Sequence, residues 1–172
     1  MEPSYRCRVG LRCRGPLVSL PEVSFEAARS LVATACLALD EEDFCSFLAC
    51  CSDDFHYTIR VHSPELRRDM TWLEHDLAGM QGLLEGVRDH LRRQGRLLRH
   101  LGASVLVEAS AQHTVLDTSV LVLHTDLEGV TRVWAAGRYR DAVAAGADGA
   151  RLLNRRVQLH TRDLGTGSHV PI

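Results

Sequence analysis

The feature that most constrains this chain is a succession of four period-two segments between residues 103 and 163. They read ASVLVEA, HTVLDTSVLVLHT, VTRVWAAGRYRDAV and ARLLNRRVQLHTRD. Alternation of this kind puts every second side chain on one face of a sheet. The connections DLEG and AAGADG are too short for a parallel crossover, so they read as hairpin turns between antiparallel strands. A meander of this length has an apolar face that something else in the chain must cover.

The N-terminal half supplies the cover. Ser24 can cap a helix whose first turn carries Glu26, and FEAARSLVATACLALD is apolar nearly all round, so it must be buried on most sides. Asp40 is predicted to cap a second short helix, EEDFCSFLACC, with Asp43 at the reciprocal position. In FHYTIRVH, residues Phe55, Tyr57, Ile59 and Val61 alternate with His56, Thr58, Arg60 and His62, which makes a half-buried strand. The order helix, helix, strand, helix, meander implies an α+β domain, with N-terminal helices packed on one face of a curved, mostly antiparallel sheet. Residues 1–20, which include RCRVGLRCRGP, have no sustained period and read as a flexible arm preceding one domain over 21–172.

SPELRRDMTWLEHDLAGM, residues 63–80, concentrates charge, a tryptophan and a histidine. Thr71 and Glu74 have the spacing of a capping box, and Leu73, Leu77, Met80, Leu84, Val87 and Leu91 form an apolar stripe. The spacing predicts a long helix running to about Arg96. Asp69, Glu74 and Asp76 would suit the positive end of its dipole, and Arg88, Arg92, Arg93 and Arg96 the negative end. His75, Gly79, Gly82 and Gly86 would share one face. Interior glycines weaken a helix, so that face and Trp72 point to contact with another element or another chain.

Composition excludes several functions. The formal charge of −2 over 172 residues gives no nucleic-acid footprint, and all 20 basic residues are Arg, which reads as coding bias. No apolar run approaches the roughly 20 residues that span a bilayer, and no secretory h-region opens the sequence, so a cytoplasmic location is expected. The 6 cysteines form no C-x-x-C, and Cys36 and Cys45 sit in apolar helical patterns as reduced thiols.

His56, His62, His75 and Asp76 are the residues a mononuclear metal could use, but the strand histidines are six apart and His75 and Asp76 would diverge on a helix, so no metal site is expected. An acid/base pair of His75 with Asp76 or Asp54, over a pocket floored by Tyr57, would suit proton abstraction or dehydration. Arg99 and His100 could bind an anion or close a helix end. Gly165-Thr166-Gly167 precedes no helix and is not a phosphate loop; no G-x-S-x-G, P-loop or zinc signature occurs.

ALDEEDFCSFLACCSDDFHYTIRV, RHLGASVLVEA and RLLNRRVQLHTRDLG resemble the small, or beta, subunits of Rieske-type ring-hydroxylating oxygenases, cone-shaped domains of the NTF2-like superfamily. SPELRRDMTWLEHDLAGM with LHTRDLGTGSHVPI is similar to one branch, the methanesulfonate monooxygenase small subunits. The resemblance spans about Ser24 to the end. It implies an NTF2-like cone and a non-catalytic scaffold for a large, alpha subunit. That partner would hold the Rieske 2Fe-2S cluster and the mononuclear iron, in an alpha3beta3 hexamer fed by NADH through a reductase and ferredoxin. The C-x-H and C-x-x-H pairs of a Rieske centre are missing from this sequence, so the chain itself would carry no cofactor. Trp72, His75, Asp76, Arg99, His100, Arg138, Arg140, Arg155 and Arg156 are then expected at subunit interfaces, where arginine and aromatics are enriched. The alternative is a stand-alone NTF2-like enzyme using His75, Asp76 and Tyr57.

Overall fold

Helix α1 (Phe25–Asp40) begins where Ser24 accepts a hydrogen bond from the Ala27 amide at 3.2 Å, as its cap spacing predicts. It buries Ala28, Val32, Ala35, Cys36 and Leu39. In this computed structural model, residues 23–87, 95–165 and 170–172 are described. The N-terminal arm with Cys7 and Cys13, the stretch bearing Arg88, Leu91, Arg92 and Arg93, and Thr166–Gly167 lie outside them.

Helix α2 (Phe44–Ala49) is capped by Asp43, whose carboxylate accepts from the Ser46 amide at 3.1 Å. Asp40 is therefore not its cap. It closes α1 and turns its carboxylate onto Arg99 instead.

Strand β1 (Cys51–Ser63) buries Phe55, Tyr57, Ile59 and Val61, the expected face. Strand β2 (Arg68–Asp76) follows and pairs antiparallel with it, Tyr57 opposite His75 and His62 opposite Asp69. This corrects the capping-box reading, since the predicted helix start is a strand. The physical reason is pairing: Leu73 and His75 turn half-inward while Glu74 and Asp76 face water, and β1 supplies the hydrogen-bonding edge. Helix α3 (Leu77–Val87) starts only then, with Asp76 accepting from the Gly79 amide at 2.8 Å. Met80, Leu84 and Val87 fill the core as the stripe requires.

Four strands complete the sheet: β3 (Arg96–Ala109), β4 (Thr114–Thr125), β5 (Thr131–Gly146) and β6 (Gly149–Leu159). Arg96 opens β3 and does not end a helix. The order is β2-β1-β6-β5-β4-β3, antiparallel throughout except where β1 runs parallel to β6. The three helices contribute buried residues to the same core as the inner sheet face, which makes the α+β architecture that the residue pattern implied. Gly137 on β5 has the Gln158 carbonyl oxygen 2.4 Å from where a Cβ would sit, so the β5–β6 approach admits no side chain there.

Candidate functional site

Two regions carry chemistry, and the sheet separates them. The inner one centres on Arg155 and Asp141, both 0% exposed. Tyr139, Asp141 and Val143 share the inward parity of β5, and Arg155, Val157 and Leu159 that of β6, so register alone sets the two charges opposite each other. Arg155 donates Nε to Asp141 Oδ1 at 2.8 Å and Nη2 to Oδ2 at 3.1 Å. Its guanidinium lies 4.4 Å from the Tyr139 ring centre, and Nη1 is 3.7 Å from Cys36 Sγ. Burial by itself would favour neutral Arg155, but the carboxylate holds its charge firmly. Burial also raises the Asp141 carboxyl against the pull of Arg155.

Beside this pair, Arg99 donates to Asp40 and to the Pro171 carbonyl, and Asp40 also accepts from the Arg99 amide at 3.1 Å. The Tyr57 hydroxyl donates to the Ile172 oxygen at 3.0 Å and accepts from its amide at 2.9 Å. Val170, Pro171 and Ile172 are buried there, so the cone interior is occupied by side chains and by residues 170–172. Burial raises the Tyr57 and Tyr139 phenols, leaving both protonated at neutral pH.

This arrangement corrects two expectations. Arg99 and Arg155 are internal, answered by Asp40 and Asp141, and offer nothing to a subunit surface. His75, Asp76 and Tyr57 do not assemble an acid/base site. Tyr57 is committed to Ile172, Asp76 caps α3, and His75 packs against Gly79, while exposed Asp54 lies elsewhere on β1. His56 and His62 point outward and engage Glu74 at 2.9 Å and Asp69 at 3.0 Å. Among the described residues no group of three or more His, Cys, Asp or Glu is disposed to hold a metal ion. A groove of about 430 Å³ between α2 and α3, lined by Phe44, Cys45, Leu48, Gln81, Leu84 and Glu85, brings no convergent catalytic groups together. Among the described residues no helix is long and apolar enough to cross a membrane.

The outer region is the opposite face of the sheet. Arg138, Arg140 and Arg156 are exposed there, and Arg140 is opposed directly to Arg156 across β5 and β6. Asp117 on β4 accepts from Arg140 Nε and Nη2, each at 2.7 Å, which holds its carboxyl below the usual range. His100 is exposed on the same face, opposite Leu121. Trp72 sits 40% exposed at an irregularity of the edge strand β2. Asp141 and Asp40 were missed as functional partners. The signal existed, because Asp141 and Arg155 both occupy apolar parity positions of period-two segments.

A SnoaL-like domain is recognised over residues 24–156, most of the chain. The beta subunit of 2-aminobenzenesulfonate 2,3-dioxygenase from an Alcaligenes species is 37% identical over 134 residues, covering 78% of this chain and 89% of that protein. The chain belongs to the SnoaL-like family, among the oxygenase beta subunits. The methanesulfonate monooxygenase hydroxylase beta subunit of Methylosulfonomonas methylovora is 28% identical over 156 residues, 86% of each. Identity is thus higher with the aminobenzenesulfonate protein than with the branch the sequence motifs suggested. This SnoaL-like chain also shares its fold with the beta subunit of a proposed aromatic-ring-hydroxylating dioxygenase from Novosphingobium aromaticivorans. The TM-score there is 0.75 at 19% identity, over 86% of this chain and 95% of that one.

Proposed function

We propose that this chain is the non-catalytic beta subunit of a Rieske-type oxygenase hydroxylase, scaffolding an iron-bearing large subunit that oxidises an organosulfonate. The observation that carries this reading is the 37% identity extending over 89% of an oxygenase beta subunit. The substrate class rests on the names of the two curated relatives, both of which specify sulfonates. Among the described residues nothing fits either metal centre: His56 and His62 are spent singly on Glu74 and Asp69, no group of three or more His, Cys, Asp or Glu converges, and burial raises the Cys36, Cys50 and Cys51 thiols. The Cys51 thiol is pushed up to about 12 by burial. On this reading both centres belong to the large subunit. The assembly is alpha3beta3, with electrons arriving from NADH through a reductase and ferredoxin.

A stand-alone hydrolase, isomerase or dehydratase finds less support, since the side chains it needs are already engaged within the chain. The test is co-expression with a large-subunit reading frame containing C-x-H and C-x-x-H, followed by size and iron analysis. The expected result is an iron-bearing complex that oxidises a sulfonate and a lone chain that turns nothing over. Turnover by the purified lone chain, without partner or metal, would sink the proposal.

A further inference from the structure

The outer sheet face holds arginines that form no ion pair among the described residues, although Arg138 adds to the field on Asp117. Cross-strand partners define two rows on it. One runs Thr71, Arg60, Gln158, Arg138, Ser119, and the other Glu74, Thr58, Arg156, Arg140, Asp117, Val105. Strands lie about 4.8 Å apart, so four guanidinium-bearing positions fall within a few strand spacings. Asp117 is committed to Arg140, and Glu74 to His56. Arg60, Arg138 and Arg156 make no ion pair among the described residues, and the Nε of Arg60 is shielded from water without a hydrogen-bond partner. Like charges directly opposed on a sheet are destabilising, as Arg140 and Arg156 are.

The same face continues into an apolar end. Leu123 is opposed to both Leu98 and Val133, which are 49% and 62% exposed, and neighbouring Leu121 is 39% exposed. Exposed aliphatics adjoining unpaired arginines have the composition of a protein interface core.

We infer that this face docks a carboxylate-bearing surface of the large hydroxylase subunit, with Arg138 and Arg156, assisted by Arg60, as the forks that grip its carboxylates and Leu98, Leu121 and Val133 as the apolar seat. The inference rests on the subunit assignment above and adds which face is used and the chemistry it meets. Charge complementarity selects the occupant: planar guanidinium forks match carboxylates bidentately.

The test uses the full chain co-purified with the large subunit, with dissociation followed by sedimentation across a sodium chloride series. Arg138→Gln with Arg156→Gln should weaken the complex at least tenfold and flatten its salt dependence, while the melting transition of the free chain does not fall, since the Arg140–Arg156 repulsion is relieved. Arg138→Lys with Arg156→Lys should fall between, keeping charge but losing the fork. Arg29→Gln, on α1 and paired with Glu26, should change nothing. Wild-type affinity in the double Gln variant would overturn this inference alone. So would a self-association of the free chain, or a duplex-DNA complex, that the double Gln variant abolishes. Failure of the wild-type chain to bind any large subunit would overturn the subunit assignment itself.

Discussion

Asp141→Ala removes the carboxylate paired with Arg155 and leaves a guanidinium with no exposed surface facing Tyr139 and Cys36. Breaking a buried pair from one side costs about 3–5 kcal/mol, because the remaining charge loses its partner without regaining water. For a chain of this size that is a fall of roughly 6–20 °C in melting temperature. Arg155→Met leaves the opposite charge, and here the chemistry is asymmetric. Arginine does not deprotonate in proteins, whereas a carboxyl can take a proton. Burial already raises the Asp141 carboxyl, and removing Arg155 takes away the group that pulls it down. The orphaned Asp141 then has a folded pKa above its unfolded value near 3.9, so the folded state binds the proton more tightly. Its contribution to stability is present at low pH and is lost as pH rises through the folded pKa. Arg155→Met should therefore recover relative to wild type as pH is lowered from 7 to 5, and Asp141→Ala should not. The double variant Asp141→Leu, Arg155→Met replaces both charges by apolar groups and should lie within about 1 kcal/mol of wild type or above it. Urea unfolding followed by far-ultraviolet circular dichroism at pH 5 and 7 measures these variants and the single Asp141→Leu, which with Arg155→Met, the double variant and wild type closes the cycle. Single variants costing under about 1 kcal/mol, or a double variant as poor as the sum of its singles, would refute the claim that this pair is closed and fully desolvated.

Gly137→Ala should destabilise the chain by about 2 kcal/mol or more in the same assay, because its Cβ would meet backbone and not a movable side chain; a neutral result would mean β5 and β6 are less closely apposed than 2.4 Å to that Cβ implies. Asp43 and Asp117 have lowered carboxyl pKa values, the first through hydrogen bonds from Ser46 and the second through those from Arg140. Stability from such groups is present above their unfolded pKa and lost as pH falls through the lower folded value. Asp43→Asn with Asp117→Asn should thus flatten the acid limb of stability below about pH 4, read by thermal melts from pH 6 to 2; an unchanged limb would contradict it.

The parts of the fold legible in the sequence were those fixed by local pattern. Phe55, Tyr57, Ile59 and Val61 needed only their own alternation to face the core, and DLEG and AAGADG needed only their length to be hairpins. The stretch 68–76 failed for the converse reason. Thr71 and Glu74 fit a capping box, and Leu73 and Leu77 fit a stripe, yet a strand edge on β1 competes for the same backbone groups and wins. The parallel pairing of β1 with β6 joins residues about a hundred positions apart and leaves no local trace. Arg99 and Arg155 were misplaced for a different reason. Charge was read as exposure, although Leu97, Arg99 and Leu101 share one parity, as do Arg155, Val157 and Leu159. Parity was the stronger evidence, and it required looking for a carboxylate of matching parity on the adjoining element.

That distinction also says where a second chain acts. A buried charge must be answered within its own chain or it unfolds the domain, and the interior follows that rule: Arg155 meets Asp141, Arg99 meets Asp40 and Pro171, and Tyr57 meets Ile172. The Tyr139 hydroxyl finds no partner among the described residues, but its ring is covered by the Arg155 guanidinium. An exposed charge faces no such requirement, since water stabilises it until something better arrives. Among the described residues Arg138 and Arg156 are left without ion pairs, on the sheet face opposite the helices and next to leucines and a valine that water solvates poorly. The buried charges are thus answered within one chain. On the inference drawn above, the outer face is completed by carboxylates of another protein, the division expected of a subunit whose work is assembly.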